Sequence, residues 1–143
     1  MWKSNKINIQ LVLLYMLSGF LFGASIPEVM AIKVAHSIYI EHENLHVKDE
    51  FIILDVETIK NGGSNLIYIF HLDPKGFIMV PADNQAVPNL AFGFDHSFER
   101  GNMPPNLNGL INQYKAELNT LIDNPADPTD EIAEKWDYYL NGN

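Results

Sequence analysis

LIYIFHLDPKGFIMV, residues 66–80, contains two apolar runs of strand length with a turn between them. The runs LIYIFHL (66–72) and GFIMV (76–80) are rich in β-branched and aromatic side chains, which pack well on a pleated surface. Asp73-Pro74-Lys75-Gly76 joins them. Proline presets its own φ for a turn, and glycine accepts a positive φ because it has no Cβ. The stretch therefore predicts a tight antiparallel hairpin at the centre of the chain. Upstream, FIILDVETI (51–59) alternates Ile52, Leu54 and Val56 with Ile53, Asp55 and Glu57, the pattern of a half-buried strand. The turn-forming string NGGSN (61–65) ends it. Downstream, a loop from Pro81 to Pro88 leads to LAFGF (90–94), where the period of two puts Leu90, Phe92 and Phe94 on one face. Four short strands in succession predict an antiparallel meander.

Helical periodicity flanks the strands on both sides. Ala31, Val34, Ala35, Ile38 and His42 recur at helical spacing behind Pro27, which predicts a first amphipathic helix over about residues 27–43. Leu107, Leu110, Ile111, Tyr114, Leu118, Leu121 and Ile122 hold the i, i+3, i+4, i+7 spacing. Pro104 and Pro105 stand at the helix start, where proline is tolerated. NPADPTD (124–130) breaks the chain, and Ile132, Trp136, Tyr139 and Leu140 make one more short helix. The fold class that follows is α+β. It is a four-stranded antiparallel meander with an N-terminal helix and one long plus one short C-terminal helix.

With 143 residues, 47% of them apolar, the chain has material for one ordinary core and no case for two. Residues 1–25 read as a secretory signal peptide. Lys3 and Lys6 precede an apolar run from Leu11 to Phe22, and Gly23, Ala24 and Ser25 follow it. The run is shorter than the roughly 20 apolar residues of a spanning helix. Cleavage after Ser25 places small residues at the last and third-last positions of the leader. The expected product is a secreted or periplasmic protein with no membrane attachment after the leader is removed. The net charge of −9 becomes two units more negative when Lys3 and Lys6 leave. Such a chain repels phosphate backbones, which argues against nucleic-acid binding. The chain has no cysteine, so neither disulfides nor thiol chemistry are available to it.

HENLH (42–46) has the H-E-x-x-H pattern that on a helix places two imidazoles around zinc. A zinc hydrolase needs that helix to continue through both histidines and a third ligand brought alongside. His46 lies five residues before a strand, so the first helix should end near Asn44 and the rings should not share a face. His71 and Glu57 are candidate third ligands, but both lie on strands, where a surface polar residue is the plainer reading. The expectation is no metal and no other cofactor.

The order of elements over residues 66–118 resembles the propeptide of the streptopain family of bacterial cysteine peptidases. It also resembles the stand-alone Spi-type inhibitors that mimic that propeptide. The marks are YIF (68–70), GFIMV (76–80), ADN (82–84), P-x-L-A-F (88–92), Ser97-Phe98, and N-M-P-P-N (102–106) before a helix carrying Gln113-Tyr114. The resemblance implies a domain over residues 26–123, with residues 124–143 as an acidic, proline-containing linker and short helix. It also implies a non-catalytic partner of a streptopain-like cysteine peptidase, as a monomer or in a one-to-one complex. Family propeptides pack on the peptidase, hold its histidine away from its cysteine and block the cleft. Here the nucleophile is absent, which implies action in trans or none at all.

By the same resemblance Asn106 matches the asparagine that reaches toward the active site, and an amide can donate and accept at once. Its local alternative is a capping or solvated residue of the first turn. Met103, Pro105 and Phe98 flank it, and core packing is the local alternative for Phe98. Asp83 and Asn84 read as contacts or as turn residues suited to left-handed geometry. Family members usually carry serine where this chain has Pro81. Three functions follow: a secreted peptidase inhibitor, a folding helper or remnant propeptide of a split or truncated peptidase gene, and, last, a small zinc hydrolase using HENLH.

Overall fold

A computed structural model describes residues 24–45, 50–98 and 101–142. Helix α1 (Glu28–Glu41) is followed by a single 3-10 turn (Glu43–Leu45) and strands β1 (Ile53–Asn61), β2 (Ser64–Leu72), β3 (Phe77–Pro81) and β4 (Ala91–Gly93). Helices α2 (Pro105–Asp123) and α3 (Asp130–Asn141) close the chain. The strands lie in the order β1-β2-β3-β4, each antiparallel to the next. The α+β meander read from the sequence is the fold of the protein. The leader through Gly23 and His46 lie outside the described residues.

Turn chemistry sets the registers. Asn61 pairs with Ser64 across Gly62-Gly63, and Gly62 takes the φ of +56° that the tight connection requires. At the next turn Leu72 N–H donates to Gly76 O at 3.0 Å. Gly76 has φ of +118°, and a Cβ there would stand 2.7 Å from Gly93 O, so the turn needs glycine for space as well as for φ.

Two core clusters lie on opposite faces of the sheet. On one, Tyr68, Phe70, Leu72, Ile78 and Val80 meet Ala31, Val34, Ala35 and Ile38 of α1 and Trp136 of α3. On the other, Ile67, Ile69 and Met79 meet Ile111 and Leu118 of α2. The split follows from period two in β2, where alternate side chains point to opposite faces. Trp136 Nε1 donates to Ala86 O at 2.9 Å and Ser37 Oγ to Tyr139 O at 2.7 Å, so α3 is bonded to both the β3–β4 loop and α1.

The first and last strands depart from simple alternation. Ile52 and Leu54 are 36% and 62% exposed, while Ile53 and Val56 pack on the α1 face. The register slips between Ile53 and Asp55, which inserts Leu54 as an extra residue and interrupts the expected Ile52-Leu54-Val56 face. Leu90 belongs to the α2 face, not with Phe92 and Phe94 on the α1 face. β4 is only three residues long, and Leu90 precedes its paired stretch. Leu110, which the helical periodicity put on the apolar face of α2, is only half-buried and belongs to neither cluster.

Candidate functional site

The loop entering α2 brings three candidate residues together around an exposed helix start. Met103 is half-buried and packs on the α2-face cluster. Pro104 sits at the N-cap position with φ −54° and ψ 139°, and Pro105 opens the helix. Proline offers no N–H, so at Pro105 nothing is lost by the missing intrahelical bond. Asn106 follows, exposed, with no side-chain cap bond at this end of the helix. Asn108 N–H donates to Pro104 O at 2.9 Å, so the first turn closes without help from the Asn106 amide. Among the described residues the Asn106 side chain makes no hydrogen bond, so it stands as the solvated first-turn residue that was one of its two local readings. Phe98 is half-buried, packed edge-on to His71 at 5.0 Å and Phe77 at 5.2 Å, so its ring serves the core.

Asp83 and Asn84 lie elsewhere. Asp83 is 6% exposed, and its Oδ1 accepts from Gln85 N–H at 2.9 Å and Gln85 Nε2 at 3.2 Å. No residue other than glycine has a positive φ among the described residues, so this is a side-chain turn and not the left-handed geometry expected. Asn84 bonds Ala24 twice, accepting from its N–H at 2.7 Å and donating its own N–H to Ala24 O at 3.1 Å. Gln85 Nε2 also donates to Leu121 O at the far end of α2. At a rise of about 1.5 Å per residue, that end lies roughly 20 Å from Asn106. The sequence candidates thus fall into two groups at opposite ends of one helix.

Gln85 was not legible from the sequence. It ties Asp83, Leu121 and Ala126, whose N–H donates to Gln85 Oε1 at 2.8 Å, and the last two lie 36 and 41 residues away. A cleft of about 530 Å³ lies between α3, the end of α1 and the 87–89 loop, lined by Glu41, Val87, Pro88, Glu134, Tyr138 and Tyr139 among others. There Tyr139 Oη donates to Glu41 Oε2 at 2.9 Å. Burial, helped by that carboxylate, pushes the Tyr139 hydroxyl up to about 12. On α2, the Tyr114 hydroxyl is raised by burial and, secondarily, by Glu117, and it donates to Leu90 O at 2.6 Å.

The HENLH stretch does not continue α1. The helix ends at Glu41, and His42 is its C-cap, with Nδ1 2.9 Å from Ile38 O and its ring 4.2 Å from that of Phe92. Glu43 belongs to the separate 3-10 turn. His71 and Glu57 are not the surface groups that their strand positions predict. Their side chains are 14% and 19% exposed and face each other, with Nε2 to Oε2 at 3.7 Å, on the α2 side of the sheet. Among the described residues no group of three or more His, Asp or Glu side chains is placed to hold a metal ion.

A family described as Spi protease inhibitor matches residues 23–118, two thirds of the chain. The chain belongs to that family. The Spi match spans all four strands and most of α2, including both groups of candidate residues, and stops before α3. A curated relative, the thiol protease/hemagglutinin PrtT of Porphyromonas gingivalis, is 33% identical over 70 residues, covering 48% of this chain and 8% of the relative. The chain thus spans less than a tenth of that relative's length. No solved structure matches the chain. The Spi family assigns it to the inhibitor or propeptide domains that act on a protease partner. No helix among the described residues is long and apolar enough to cross a membrane.

Proposed function

We propose that the protein is a secreted inhibitor of a streptopain-like cysteine peptidase, binding one to one and blocking the cleft without turnover. The observation that carries this reading, beside family membership, is the exposed Pro104-Pro105-Asn106 start of α2. It presents an exposed amide on a proline-stiffened turn, and among the described residues no group bonds it. A rigid turn loses little conformational freedom on binding, and an amide that both donates and accepts suits a cleft lined by backbone groups. The absence of cysteine from the chain fits a partner that supplies the chemistry. Phe98 and Met103 pack on the α2-face cluster, whereas Asp83 and Asn84 make their bonds near the other end of α2.

The test is titration of a purified streptopain-like peptidase from the same source. Activity should fall linearly to zero at one equivalent, and the inhibitor should be recovered intact. A peptidase left fully active at micromolar inhibitor ends the proposal. The match to a segment of a much longer thiol protease favours, as a second reading, a folding helper or remnant propeptide. That reading predicts faster refolding of denatured peptidase but weak inhibition of the mature enzyme, so the inhibition constant separates the two.

A further inference from the structure

The residues expected to close the leader are built into the fold. Ala24, Ser25 and Ile26 run antiparallel to residues 82–84. Ser25 bridges Asp83, Ile26 N–H donates to Ala82 O at 2.9 Å, and Asn84 N–H donates to Ala24 O at 3.1 Å. The Asn84 side chain completes the set by accepting from Ala24 N–H at 2.7 Å. Ile26 is 5% exposed, and its carbonyl accepts from Tyr68 Oη at 3.0 Å. The family match starts at residue 23, so these three residues belong to the matched domain.

The last residues of a leader have only to be small and extended for the cleaving enzyme, and nothing requires them to match the hydrogen-bonding groups of the mature domain. Here both backbone groups of Ala24 are matched by one asparagine. In addition, a cut after Ser25 would remove the Ala24–Asn84 pair and the Ser25–Asp83 bridge altogether, leaving only the Ile26 N–H to Ala82 O bond to hold the amino terminus. A cut after Gly23 instead places the ammonium on Ala24 at the rim, against the Asn84 carbonyl oxygen, where a charged donor strengthens the bond already present. Glycine then holds the last leader position, with Leu21 third from the end, a weaker match to the small-residue pattern than the Ser25 cut.

We propose that the leader is cut at the Gly23–Ala24 bond and that residues 82–84, with the side chain of Asn84, form a docking site for the chain's own processed amino terminus. The docked end would lock the 81–88 loop from one side while Gln85 and Trp136 lock it from the other. This inference rests on the secretion reading. The first test is the intact mass of the protein exported by its source. A chain beginning at Ala24 supports the proposal. One beginning at Ile26 overturns it and leaves secretion standing, and a chain retaining its leader overturns both.

The second test needs no export. Two recombinant chains, released from a removable tag so as to begin at Ala24 or at Ile26, are compared by thermal melting. The Ala24 form should melt several degrees higher, and most of that gap should close when both carry Asn84→Ala. Equal melting of the two forms, or a gap untouched by Asn84→Ala, overturns the docking site.

Discussion

On the α1/α3 face of the sheet, Tyr68, Phe70, Ile78 and Val80 are at most 2% exposed, and Ala31, Val34, Ala35 and Ile38 above them are fully buried. On the α2 face, Ile67, Ile69 and Met79 are equally buried, yet of the helix covering them only Ile111 and Leu118 are buried. Leu107, Tyr114, Leu121 and Ile122 are only half-buried there. Two helices seal one face, whereas a single helix lying on the other leaves its flanks and its first turn open. Stability is thus concentrated on the α1/α3 face. The α2 face carries the exposed turn, where a side chain can serve a partner at little cost to the core.

Truncation at the centre of the sealed face should have the largest effect. Phe70→Ala should cost about 3 to 5 kcal/mol of stability, since it leaves a cavity among atoms that cannot collapse around it. Urea unfolding measures this, and a loss near zero would mean that the sealed face does not dominate stability. Asn106→Ala tests the open face. Inhibition should weaken roughly five- to a hundredfold, the loss of about 1 to 3 kcal/mol from a bond buried only in the complex. The melting temperature should not move, because Asn106 does not cap its helix. A lower melting temperature with unchanged inhibition would return Asn106 to a structural role.

A smaller effect is expected from Tyr139, at the border of the sealed face. Its hydroxyl is raised from 10.0 to about 12 in the folded chain, so its contribution to stability is complete below about pH 10 and is lost as the pH rises toward 12. Tyr139→Phe should flatten that part of the stability profile, and a profile identical to the parent chain's would show that neither burial nor Glu41 raises the hydroxyl. The smallest effect belongs to Leu54. It is 62% exposed at the bulge, and Leu54→Ser should change stability by no more than about 0.5 kcal/mol. A large loss in urea unfolding would place Leu54 in the core after all.

The meander and its three helices were legible because each element repeats its own local signal. Gly62 and Gly76 stand where turns need them, Pro105 stands at the first position of α2, and α1 carries its buried residues at a strict helical spacing. The face of β1 was not legible. A bulge costs one residue of register and leaves no mark in an alternation of apolar side chains, so Ile52 and Leu54 read as core although they are exposed. The site was half legible. Resemblance led to Asn106, but nothing local showed that its amide has no hydrogen bond among the described residues, or that Asp83 and Asn84 sit at the other end of the helix. Gln85, two of whose three partners lie more than thirty residues away, carried no signal of its own.

Periodicity, turn residues and the absence of cysteine settle, from the sequence alone, the α+β class, the strand order of the meander and the exclusion of thiol chemistry. These depend on neighbours within a few positions along the chain, and such neighbours constrain each other through backbone dihedrals and side-chain spacing. The end of α1 before Glu43, the buried facing of His71 and Glu57, the bond from Ala24 to Asn84 and the two-sided split of the core depend on residues far apart in the chain. Tertiary structure decides them, because which distant groups meet is set by how whole elements pack and not by what any one of them contains.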